Sequence, residues 1–199
     1  MTVFHASHIK AMGALAVLLL AWAMASHAGE PTATPSPTQE ELEREMCEHT
    51  VCQRNLHVVM KQKDGKTYDQ TFDVFPGVVQ EFGITVVAGQ TVHVEADVSG
   101  DSLVNLKAVD AIVHPGRTIT ATLTQEQNGG MMLSVKNPFA RQLKFDMGMM
   151  PLGTDGLYKT SSCPVIAGGG SFEMWPYPIF QLVLGNARLL DSTSSMACE

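Results

Sequence analysis

Positive charge is scarce: 13 Lys and Arg stand against 20 Asp and Glu in 199 residues. Nucleic acids and anionic lipid surfaces are held by clustered cations, and the basic residues here are scattered. The chain is therefore a poor candidate for either partner, and no nucleic acid is expected. Long apolar runs are missing as well. The apolar stretch Ala14 to Met24 has 11 residues, well short of the roughly 20 that span a bilayer as a helix. The sequence has no Gly-x-Ser-x-Gly elbow, no Walker-type Gly-Lys-Ser/Thr and no Gly-x-Gly-x-x-Gly following a strand. Those gaps argue against a serine hydrolase of that type and against a nucleotide site. No internal repeat occurs, and no amphipathic helical pattern follows the first fifty residues. Without crossover helices, a doubly wound parallel sheet is excluded.

The amino end reads as an export signal. Met1 to Gly13 is acid-free with Lys10 as its only firm charge, Ala14 to Met24 is the apolar region, and Ser26-His27-Ala28 or Ala23-Met24-Ala25 supplies the small-x-small cleavage pattern. Residues 1–28 are thus expected to be removed, which leaves no membrane span and places the protein in a bacterial periplasm or outside the cell. No cysteine follows the cleavage site, so no lipoprotein anchor is expected. The remainder carries 12 basic and 20 acidic residues, a balance of −8.

Residues 29–38 hold three prolines with Thr and Ser between them, a composition that packs no core and reads as an extended linker. Thr38 followed by Glu41 is a capping-box signal for a short acidic helix over about residues 39–47, within a Cys-containing segment 39–53. All four cysteines, Cys47, Cys52, Cys163 and Cys198, follow the signal. An even count in an oxidising compartment favours disulfides. The preferred pairing is Cys47–Cys52 with Cys163–Cys198, provided the helix stops before Cys52; a helix running through both would point their side chains apart.

From Arg54 the apolar period is two. Leu56, Val58 and Met60 alternate with His57, Val59 and Lys61, and Asp64-Gly65 signals a hairpin returning through Tyr68, Gln70, Phe72 and Val74. Phe82–Val87 and Thr91–Val98 read as a second pair around Ala88-Gly89-Gln90. Val92, Val94, Ala96 and Val98 share one face, and His93, Glu95 and Asp97 the other. Ile119, Ala121 and Leu123 point inward between four outward threonines. Asn128-Gly-Gly130 is a third hairpin turn. Leu143, Phe145, Met147 and Met149 alternate with Gln142, Lys144, Asp146 and Gly148. Short strands around Gly168-Gly-Gly170, and two more joined by Gly185-Asn186, complete about ten strands. The pattern predicts an all-β fold over residues 54–190, an antiparallel β-sandwich with an immunoglobulin-like arrangement as one form, followed by a tail, 191–199.

Three groups of residues invite a chemical reading. Met46, Cys47, His49 and Cys52 gather soft and borderline donors, and Met147, Met149 and Met150 add thioethers, which together suit copper. Oxidised cysteines could not ligate, so this alternative rests on Met46, His49, Met147, Met149 and Met150. Glu95 and Asp97 share a strand face and could form an acid/base pair if they stood in a cleft. Trp175, Tyr177 and Phe180 lie within six residues and are separated by Pro176 and Pro178, which prevent continuous strand pairing. They read either as binding anchors or, for Trp175, as a plug in the core. The favoured reading is a non-enzymatic binding or interaction protein of the envelope, with no cofactor and a protein or other envelope component as partner. The alternative is a periplasmic copper-binding protein.

Overall fold

A computed structural model describes residues 37–191 and 197–198. The expected signal peptide, most of the linker and residues 192–196 and 199 lie outside the described residues.

The chain enters through α1 (Gln39–Glu48). Thr38 caps it: its side chain accepts from the Glu41 amide at 3.2 Å, and the Glu41 carboxylate accepts from the Thr38 amide at 2.8 Å. This capping box neutralises two of the amide donors that any helix start leaves free. No residue of α1 is buried, so packing does not extend it. It stops at Glu48 with His49 as C-cap, and the chain turns back far enough to close Cys47–Cys52. Cys163–Cys198 is the second disulfide. Both are the pairs expected from the sequence.

β1 (Gln53–Lys61) and β2 (Thr67–Phe75) form a separate antiparallel ribbon turned at Asp64-Gly65. One side of the ribbon supplies Val58, Met60 and Phe75 to the core. Its end is held by a side chain acting as a strand: the Gln125 amide accepts from Lys61 N at 2.7 Å and donates to Lys61 O at 2.9 Å.

The remaining strands are β3 (Val79–Gln80), β4 (Gly83–Val87), β5 (Thr91–Ser99), β6 (Ser102–Val109), β7 (Thr118–Gln125), β8 (Met131–Lys136), β9 (Gln142–Pro151), β10 (Tyr158–Thr160), β11 (Gly170–Trp175) and β12 (Ile179–Leu190). All their pairings are antiparallel. One run is ordered β3-β4-β12-β9-β10 and the other β6-β5-β7-β8-β11. They join at a single residue pair, Arg188 with Ser102. The apolar sides of both runs enter one core, with Ile84, Ile119, Leu123, Leu133, Leu143, Ile179, Leu182 and Leu184 fully buried. Among the described residues the result is an all-β, sandwich-like fold with one short helix.

Several local expectations need correction. Ala88-Gly89-Gln90 does not make a hairpin. β4 pairs with β3 and β12, while β5 pairs with β6 and β7, so the turn carries the chain from one run to the other. The Gly89 amide and the Gln90 carbonyl then bond to Leu123 rather than across a β4–β5 ladder. The strands around the triple glycine do not pair together either: β10 joins β9, and β11 joins β8. Gly185-Asn186 is not a turn but a bulge inside the continuous β12. There Asn186 takes φ of 47° and the register shifts between Gly185 and Arg188, as a left-handed residue allows. Gly83 is fixed by close approach: with φ of 138°, a Cβ there would run into the Leu184 carbonyl of β12.

Burial on the outer faces also departs from simple alternation. Val92, Val94 and Ala96 are buried as expected, but Val98 at the end of β5 is half exposed. Thr118 and Thr120, expected outside, are buried, as are Glu95 and Lys144. Thr118 donates to His114 O and Thr120 bonds to His93 Nδ1, each over the outer face of β7. The Lys144 ammonium donates to Ser162 O, where the chain leaving β10 crosses β9.

Candidate functional site

The aromatic trio at the start of β12 is dispersed by the two prolines. Trp175 ends β11 facing inward, is 8% exposed, and donates its indole N–H to Thr160 Oγ1 of β10 at 3.0 Å. It therefore ties the outermost strands of the two runs together from inside. Phe180 sits at the register shift between Ile179 and Gln181. Its ring meets Tyr68, Phe72 and Phe75 edge-on, with centroids 5.8–6.1 Å apart, a geometry that aromatic quadrupoles favour. This cluster glues the β1–β2 ribbon to the core.

Tyr177 lines a cleft. Its hydroxyl donates to Met149 Sδ at 3.4 Å, which fixes the ring against β9. The cleft, about 290 Å³, lies between the ribbon turn at Gln62, Lys63 and Asp64, the end of β9 at Pro151 and Leu152, and Tyr177-Pro178. Leu152 N bonds to Pro178 O at 3.1 Å, so two of its walls are joined. The Lys63 ammonium stands 5.4 Å from the Tyr177 ring centroid, within range of a cation–π attraction. Sequence reasoning found Tyr177 but missed Lys63 and Leu152. Lys63 is 114 residues upstream, and only the ribbon's packing brings it near.

The thioether and imidazole donors are split. Met46 and His49 line a second cleft of about 290 Å³ with Pro76, Gln80, Glu81 and Phe82. Met147 is buried in the core, Met149 lies under Tyr177, and Met150 faces the opposite side of β9. Met147, Leu184, Ile84 and Val79 form one row across β9, β12, β4 and β3. Three interstrand steps separate its ends, about 14 Å. Thr50, next to His49, donates to Val79 O at the far end of that row. The structure thus does not bring the five proposed ligands together, and all four cysteines are in disulfides.

Glu95 and Asp97 line neither of the two clefts described here. The loop over residues 110–117 lies over Glu95. His114 Nδ1 is 2.7 Å from one carboxylate oxygen, and Arg117 Nη2 is 2.7 Å from the other. Arg117 Nη1 reaches Asp97 at 3.0 Å, and Asn105 donates to Asp97 at 3.1 Å. The hydrogen bond from His114, supported by the Arg117 charge, holds the Glu95 carboxyl below the usual glutamate range. Asn105, then Arg117, does the same for Asp97. Both Glu95 oxygens are engaged in closing the loop on the sheet. Two histidines have partners of their own: His57 bonds to Asp69 on the ribbon at 2.8 Å, and His93 bonds to Thr120.

Comparison with protein-family models, curated protein sequences and solved structures found no match to this chain.

Proposed function

We propose that the chain is an exported binding module of the bacterial envelope, periplasmic or secreted, that holds a partner without transforming it. The observation carrying this reading is the Tyr177 cleft: an aromatic ring, two prolines and Leu152 presented by β strands and a tied loop. Concave, mostly apolar sites with a few placed polar groups are the usual form of recognition sites. Two disulfides fit an oxidising compartment. The engagement of Glu95 in ion pairs favours binding over carboxylate chemistry. An immunoglobulin-like grouping of the sandwich belongs to the same proposal and is supported by its two runs of antiparallel strands.

The test is a fragment screen by NMR on the oxidised protein from residue 29 onward. Saturable shifts at Tyr177 and Leu152, with every fragment recovered unchanged, support the reading. Consumption of a fragment, lost on substituting a cleft residue, overturns it, and so does the absence of any saturable site. Fractionation of cells expressing the full chain, with mass analysis of its new amino end, tests export.

A further inference from the structure

The charges around the Tyr177 cleft do not cancel. Asp64 is neutralised within its own turn: Lys66 Nζ lies 2.8 Å from one oxygen, and the Lys66 amide donates to the other at 3.1 Å. Lys63, by contrast, has no carboxylate and no hydrogen-bond partner among the described residues; its ammonium stands over the face of Tyr177. Lys63 therefore supplies the unpaired charge of a cleft whose apolar wall is Pro151, Leu152, Tyr177 and Pro178 and whose polar rim is Gln62, Asp64 and Thr154. The Tyr177 hydroxyl is turned away to Met149, so the ring offers its face and not its polar tip.

From this we infer that the cleft binds a small apolar or aromatic carboxylate, its body against Tyr177 and Leu152 and its carboxylate paired with Lys63. The inference rests on the binding-module reading and names the ligand class of that site. The volume, about 290 Å³, is at the small end of ligand sites and suits one ring or one side chain. A single ammonium matches a monovalent carboxylate. Phosphate recognition draws on forked guanidinium donors or clustered amides, and the cleft has no arginine. The carboxylate could belong to a free organic acid or to the carboxyl end of a peptide, and the two share this chemistry.

The experiment titrates 3-phenylpropionate, its neutral amide, and an acetylated tripeptide ending in phenylalanine into the oxidised protein, read by NMR shifts at Tyr177 and Leu152. The acid should bind about tenfold tighter than the amide at low salt, as a charge-assisted contact gives, and the difference should shrink as salt screens it. Lys63→Gln should remove the preference for the acid over the amide while leaving tryptophan emission, and with it the packing around Trp175, unchanged. A tighter fit of the tripeptide or of the free acid tells which source the site suits, and either supports the inference. Equal binding of acid and amide overturns the inference but leaves a binding module standing. Binding of no probe at this cleft overturns both. A preference that survives Lys63→Gln also overturns it, because the selecting charge then lies elsewhere.

Discussion

Replacing Trp175 separates a core plug from a surface anchor. The ring is 8% exposed and its N–H is bonded to Thr160. A buried tryptophan removes on the order of 200 Å² from water, worth about 5 kcal/mol at roughly 25 cal/mol per Å². Truncation to alanine in cores costs about 3–5 kcal/mol, so Trp175→Ala should lose about 4 kcal/mol. For a domain of this size that is on the order of 10 °C in Tm. Trp175→Phe keeps a ring but loses the indole donor and some volume, about 1–2 kcal/mol. Thr160→Val leaves a buried donor unpaired and should cost about 1–3 kcal/mol. The double variant should be less harmful than the two single losses added, since the two groups share one bond. Urea unfolding with disulfides intact measures the wild type and the four variants by circular dichroism. Trp175 is the only tryptophan beyond Trp22, so native emission should be blue-shifted and move to the red on unfolding. A loss below about 1 kcal/mol for Trp175→Ala, with red native emission, would refute the plug and return Trp175 to the binding surface.

Three further outcomes are expected. Removing Cys163–Cys198, whose half-cystines are 35 residues apart, should cost about 4 kcal/mol by loop entropy, against about 2 kcal/mol for the short Cys47–Cys52 loop; thermal melts of the paired serine variants measure both. Because Glu95 and Asp97 have lowered folded-state values, their contribution is full above the ordinary carboxylate range. It is lost as pH falls through the lowered values, and Arg117→Met should flatten that slope in acid unfolding curves. Copper titration of Met147→Leu and Met149→Leu should match wild type, since these residues lie apart from Met46 and His49; loss of a stoichiometric site in either variant would contradict the split.

Strand content was legible because a half-buried strand writes its faces into the sequence. β7 shows this in Ile119, Ala121 and Leu123, and β9 in Leu143, Phe145 and Met147. The disulfide pairs were legible from spacing and from the helix stop. Pairing partners were less so. Ala88-Gly89-Gln90 encodes a reversal of direction, but not whether the strands it joins will be neighbours; that depends on β12, almost a hundred residues later. Asn186 encodes a left-handed residue, which serves a turn and a bulge equally. Glu95 and Lys144 looked outward because alternation counts faces and not the loops that fold over them. In the Tyr177 cleft, Tyr177 was visible from its prolines, while Lys63 carries no local mark.

β12 lies between β4 and β9 and touches β6, so the last of the described strands is the one both runs share. A polypeptide that emerges amino end first has β4 and β9 without their common neighbour until residue 190 is out. Hairpins such as β7–β8 can form early, but closure waits for β12. The order of synthesis thereby delays commitment to the native state, and a copy truncated before β12 would leave both flanking strand edges bare and prone to pair with other chains.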